Sequence, residues 1–303
     1  MRLLLIVFLS LLSAPAVAQS EWLPPGSSTS ADLLVRPVES LAGGTRQNFY
    51  VEFGRLAFRS PDILGGNARK AGMSCNACHT NGHANARFFV PGVSDRPGRV
   101  DTTNSLWNDK GENGLSDPVR IPSLRGVKTK PRLGHDKRLG SLREFTRQVI
   151  VTEFGGEEPT PLLLDSLIAY EQALQKVTPP ERTEKVTFAG DLADLVRYLS
   201  VLQRALANED AELTETVSRM IRGQVGLMDK RFAAPPHADA QAVLAAWSND
   251  LAAISQLAAT RQVPAARERL AVLRGAMSNP PVALTQAVAS SLYDVRTVKG
   301  SGK

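Results

Sequence analysis

The sequence predicts a mostly α-helical protein in two parts, a loop-rich first half and a second half built as an antiparallel helical bundle or helical extension. Three observations predict it. Apolar residues recur at three- and four-residue spacing along the second half, as helices with one buried stripe require. Proline and glycine crowd the stretch between residues 91 and 131, which points to a long wrapping loop rather than regular structure. The only two cysteines, Cys75 and Cys78, lie within one pentapeptide, so the first half is organised around a short local motif rather than a disulfide framework.

In chain order, residues 1–18 read as a secretory signal. Arg2 is a minimal basic start, residues 3–12 are an apolar run, and Ala16-Val17-Ala18 is a small-x-small cleavage site. The run is about half of the ~20 apolar residues a spanning helix needs, so cleavage and export to the periplasm are expected rather than anchoring. Residues 19–47, rich in Pro, Gly and Ser, read as an extended N-terminal arm. Residues 48–176 form one unit. Within it Ser141 is placed to cap a helix that runs to about Phe154 and ends at Gly155-Gly156. A second helix spans residues 161–175, with Leu163, Leu167, Ala169, Tyr170 and Leu174 as its apolar positions. Val177-Thr178-Pro179-Pro180 is the expected boundary, and residues 181–303 are an α-helical unit whose role the sequence does not reveal. Its stripes are Leu192, Leu195, Val196, Leu199, Leu202 and Leu206; then Leu213, Val217, Met220, Ile221 and Met228; then Val243, Leu244, Trp247, Leu251, Ile254 and Leu257; then Leu270, Leu273 and Met277.

The chemistry is carried by Cys75-Asn76-Ala77-Cys78-His79, a C-x-x-C-H motif. Two thiols on one helical turn reach the two vinyl groups along one edge of a porphyrin, and the adjacent imidazole then faces iron. The implied cofactor is one covalently bound haem c, with Cys75 and Cys78 as its anchors and His79 as axial ligand. A thioredoxin-like pair would require a strand before Cys75, whereas residues 65–72 read as a loop. A zinc site drawn from Cys75, Cys78, His79 and His83 is disfavoured, because Cys78 and His79 are adjacent and cannot close a tetrahedron together.

Four ordered motifs resemble the bacterial di-haem cytochrome c peroxidase and MauG-like family over about residues 48–176. They are Phe53-Gly54-Arg55-Leu56-Ala57-Phe58 with Ser60-Pro61-Asp62; Cys75 to His79; Ile121-Pro122-Ser123-Leu124-Arg125-Gly126-Val127; and His135-Asp136-Lys137-Arg138 with Ser141-Leu142-Arg143-Glu144. The resemblance implies a cytochrome-c-like haem domain and redox or peroxide chemistry. The chain departs from the family in holding one haem motif instead of two. It also has Leu133 and Gly134 where the family often places a Met or Tyr ligand.

Opposite His79, His135 is the nearest candidate for a sixth ligand and a catalytic helper; the alternative is a loop histidine bound to a propionate, backbone or Asp136. Glu153 stands near the place of the family's distal glutamate and is the candidate acid–base residue, or an ordinary helix-end carboxylate. Arg125 is the candidate partner of a haem propionate, or a solvated loop arginine. His83, four residues after His79, is expected on the proximal side as a surface or supporting residue. His237, in a Pro-Pro-His linker, is expected to be exposed.

The expected function is a periplasmic monohaem c-type cytochrome in electron transfer, with a cytochrome, cupredoxin or dehydrogenase as redox partner. Alternatives are a peroxide-reducing haem oxidoreductase and a haem-based sensor or binding protein. Hydrophobic content of 43% excludes a disordered chain. The net charge of +6 has no basic helix or aromatic platform to suit nucleic acid. No transmembrane segment is expected after signal cleavage.

Overall fold

The computed structural model describes residues 22–43, 45, 48–134, 140–176, 182–232 and 236–300. The signal reading, the Val177-Thr178-Pro179-Pro180 boundary and the His135-Asp136-Lys137-Arg138 motif lie outside them. The chain is mostly helical, as the spacing of its apolar residues requires.

The arm is built in rather than free. Its short helix α1 (Ala31–Leu34) buries Leu33 completely. Strand β1 (Val35–Pro37) follows and later finds an antiparallel partner. Helix α2 (Phe49–Phe58) starts at Asn48, whose side chain accepts the Tyr50 N–H at 2.8 Å. After α3 (Gly66–Lys70) comes the single turn α4 (Cys75–Cys78) that holds the cysteines. Residues 79–134 are mostly irregular, stiffened by the two-residue pair β2 (Arg99–Val100) and β3 (Val119–Arg120).

Ser141 caps α5 (Leu142–Gln148) through the Glu144 N–H, as expected. The helix then widens into a π turn, Val149–Glu153, before Gly155 at φ +61° ends it. The glycines are required there: a Cβ on Gly65 would lie 1.8 Å from the Gly155 carbonyl oxygen. Thr160 caps α6 (Pro161–Ala173), with Pro161 in the first turn, where its missing N–H costs nothing.

Strand β4 (Thr183–Lys185) pairs with β1 in the register Val35↔Lys185. The remaining helices are α7 (Phe188–Ala207), α8 (Ala211–Asp229), α9 (Ala238–Ala259), α10 (Val263–Ser278), α11 (Val282–Ala287) and α12 (Val295–Gly300). The stripe residues Leu195, Leu199, Leu202, Val217, Ile221, Leu244, Leu251, Ile254, Leu273 and Met277 are all buried. Helix α8 packs on α9 and on α7, and α10 on both α9 and α7, as antiparallel neighbours joined by short turns do.

Helix α2 packs on α6 and also on α7, so one apolar cluster runs through both halves of the chain. A buried polar network fastens the same junction. Glu39, from the arm, receives Arg55 Nε at 2.9 Å, Arg59 Nη2 at 3.0 Å and the Tyr170 hydroxyl at 2.8 Å. Asp194, on α7, receives Arg55 Nη2 at 2.8 Å and Arg59 Nη1 at 2.7 Å. The Tyr198 hydroxyl accepts from Arg55 Nη1 at 2.9 Å. Two buried guanidinium groups thus face two carboxylates from distant segments, which is the arrangement that lets charge persist inside a protein.

Candidate functional site

The α4 turn presents Cys75 and Cys78 as free thiols three positions apart, and both pack with the apolar core. Burial pushes both thiols up, Cys78 to about 12, and the Glu171 carboxyl adds to the effect at Cys75. Neither is therefore a thiolate at neutral pH. Redox-active C-x-x-C pairs work through a lowered thiol pKa, so these two are poised for burial against an apolar partner and not for thioredoxin-like exchange.

His79 ends the turn, with its N–H donated to the Cys75 carbonyl at 2.8 Å. Its Nδ1 is 2.9 Å from the carbonyl oxygen of Pro122, 43 residues away. A backbone carbonyl accepts only, so Nδ1 carries the proton and Nε2 holds the lone pair. Burial lowers the imidazole to about 4, outweighing the Pro122 bond that raises it, with a smaller lowering from Lys130. His79 is consequently neutral at pH 7, in the tautomer a metal ligand needs, and oriented by a carbonyl behind it.

The backbone around the motif is tightly held. Asn76 Oδ1 accepts the Asn81 N–H at 2.9 Å, and Asn85 Nδ2 donates to the Ala77 carbonyl at 2.9 Å. Asn81 sits at φ +53° and Gly82 at φ +82°, so the chain turns sharply away after His79. Of the two readings of His83, surface or supporting, its burial excludes the surface one. The segment after His79 is not a continuing helix, and His83 is buried with Nε2 3.1 Å from the Val38 carbonyl in the arm. Among the described residues no group of three His, Cys, Asp or Glu side chains is placed to hold a metal ion by itself.

Glu153 is half-buried on the π turn, next to Phe154, which packs against Trp107 at 5.8 Å between ring centroids. Burial raises its carboxyl, and a side-chain hydrogen bond with Thr102 partly opposes that. Arg125 is half-buried, with Nε 3.3 Å from Ser123 Oγ. Met73 is buried in the core before the motif. His135 lies outside the described residues. His237 is buried rather than exposed, because the aromatic ring of Phe232 and Ser290 Oγ, 2.9 Å from Nε2, close over it.

Sequence reasoning missed Glu171. It lies on α6, is buried, accepts only from Thr146 Oγ1 at 2.9 Å among the described residues, and sits close enough to Cys75 to perturb it. Burial raises its carboxyl to about 7. A signal existed: Glu171 follows Leu167 by four residues and precedes Leu174 by three, which places it on the apolar stripe. The Pro122 carbonyl was also missed, since a backbone acceptor carries no side-chain signature.

The donor set fits a c-type haem: two thiols on one turn, and a neutral imidazole with its outer nitrogen already bonded. Compared with protein-family models, curated proteins and solved structures, the chain matches none. Among the described residues no helix is long and apolar enough to cross a membrane.

Proposed function

We propose that this protein is a periplasmic monohaem c-type cytochrome that acts in electron transfer with a partner redox protein. Its residues 48–176 resemble one domain of the di-haem cytochrome c peroxidases. The observation that carries the proposal is His79. Its Nδ1–H is given to the Pro122 carbonyl, and its Nε2 keeps the lone pair at the end of a turn that also carries both cysteines. Cys75 and Cys78 would hold the porphyrin by two thioether bonds, and His79 would bind the iron. When bound, haem c supplies a one-electron iron couple.

The chain's own residues set the surroundings. The Pro122 carbonyl fixes the tautomer and direction of His79. The core around Cys78 keeps water from the attachment edge, and Asn76 and Asn85 hold the turn in shape. The test is the pyridine haemochrome spectrum and intact mass of protein matured with its export signal in a host that makes c-type cytochromes. Expected are a haem c spectrum and a mass gain of one haem that survives acid–acetone extraction, both lost in Cys75→Ala/Cys78→Ala. Colourless protein of unmodified mass refutes the proposal.

Glu153 supports a second reading, a haem oxidoreductase that reduces hydrogen peroxide. A carboxyl raised by burial retains its proton closer to neutral pH, as an acid–base group for peroxide cleavage must. A high-spin spectrum that responds to peroxide, with the response slowed by Glu153→Gln, favours this reading. A low-spin spectrum indifferent to peroxide and carbon monoxide favours the electron carrier.

A further inference from the structure

Residues 119–134 contain Arg120, Arg125, Lys128, Lys130 and Arg132 and no Asp or Glu. This single-sign segment is stapled to the cysteine–histidine turn. Besides the Pro122 bond to His79, the Leu124 N–H donates to the Gly82 carbonyl at 2.9 Å, and Ser123 Oγ lies 3.3 Å from the same oxygen. The Gly126 N–H, at φ +69°, donates to the Leu174 carbonyl at 2.9 Å, and the stem of exposed Lys176 lies against Gly126. Lys130 Nζ is held on the Ser123 carbonyl at 2.7 Å.

Arg120, Lys128, Lys130 and Arg132 are exposed, and among the described residues none of the four forms an ion pair. By contrast Arg36, Arg87, Arg99, Arg143, Arg147, Arg269 and Arg296 each meet a carboxylate. Like charges gathered on one exposed segment repel one another, and that cost is offset when an oppositely charged surface arrives. The segment is poorly suited to a bilayer. Its apolar residues Ile121, Val127 and Leu133 are buried in the protein and it contains no amphipathic α-helix, so it offers no apolar face to insert.

We propose that residues 119–134 form the docking face for an acidic one-electron redox protein, set against the iron-binding turn so that charge steers the partner to that edge. This rests on the electron-transfer function proposed above. Lys128 and Arg132 make the cleanest probes, being exposed and outside the hydrogen bonds that hold the turn.

The experiment uses the full-length matured protein, Lys128→Glu/Arg132→Glu, and Arg204→Glu/Arg261→Glu as a control of the same net charge. Poly-L-glutamate serves as the acidic probe in calorimetry, which needs no pigment. Hexacyanoferrate(III) serves as an anionic one-electron acceptor from the reduced protein in stopped flow. Wild type and control should bind poly-L-glutamate, and their oxidation should slow as salt screens the field. The Lys128/Arg132 variant should lose the binding and react about tenfold more slowly at low ionic strength, with a flattened salt dependence. Equal losses in both variants would show that net charge alone acts, and would overturn the proposal, as would an unaffected Lys128/Arg132 variant. Salt-sensitive sedimentation with phosphatidylglycerol vesicles through the same residues, without poly-L-glutamate binding, would overturn it in favour of a membrane surface. Colourless protein that still binds poly-L-glutamate through Lys128 and Arg132 would refute the haem assignment and the redox role of the face together.

Discussion

Replacing Glu39 by Gln keeps its shape and removes its charge. Arg55 and Arg59, both buried, would then share Asp194 as their close carboxylate. Removing one partner of a buried ion pair costs about 3–5 kcal/mol, because the remaining charge is left uncompensated. The titration of Glu39 gives an independent measure. Burial by itself raises the carboxyl, but Arg59, Arg55 and the Tyr170 hydroxyl outweigh it and hold it at about 2 instead of 4.5. That lowering corresponds to about 3 kcal/mol of preference for the charged folded form. The folded value lies below the unfolded one, so this stability is fully present above about pH 4.5 and is lost as pH falls toward 2. Urea unfolding at pH 7 should give Glu39→Gln a midpoint lowered by the equivalent of about 3 kcal/mol with an unchanged m value. The gap to wild type should narrow at pH 3. A loss under about 1 kcal/mol at pH 7, or a gap that does not change with pH, would refute the assignment of Glu39 as a charged clamp.

Glu171→Gln should act in the opposite sense. Burial holds the Glu171 carboxyl at about 7, so ionising it costs the folded state up to about 3 kcal/mol, a cost absent below pH 4.5 and growing as pH rises through 7. Denaturation at pH 4 and pH 8 should show the variant equal to wild type at the first and more stable at the second. Asn81→Ala should lose about 2–4 kcal/mol, since it forfeits the bonds to Arg59 and the Pro37 carbonyl and places Ala at φ +53°. Asn81→Gly should recover only the backbone share of that loss, as thermal unfolding would report. Gly54→Ala should destabilise by about 2 kcal/mol or more, because its Cβ would lie 1.8 Å from the Ser166 carbonyl where α2 and α6 meet. An unchanged melting temperature would deny that close approach.

The parts legible in the sequence are those whose cause lies within a few residues. Ser141 caps a helix through an N–H three residues on, the stripes of α7 to α10 follow from a 3.6-residue period, and the cysteine–histidine turn is complete in five positions. The π turn at Val149–Glu153 was not legible, because it answers to the close packing of Gly155-Gly156 on Gly65 and Ile63. The burial of His83 and His237 was not legible for the same reason. A positive-φ Asn81 and a covering Phe232 decided where they point, and neither is a periodic signal.

By itself, the sequence determined that the chain is mostly helical, which residues line its stripes, and that two thiols and an imidazole stand on one turn. The tertiary structure alone decided that Pro122 would orient His79, that β1 would find β4, and that Glu39, from a Gly-, Pro- and Ser-rich arm, and Asp194, on α7, would share Arg55 and Arg59. The physical reason is range. A helix or a cap closes a loop of a few residues and is specified where it forms. Contacts between residues 16 to 150 positions apart form only when the whole core brings them together, against a loop-closure entropy that no local pattern records.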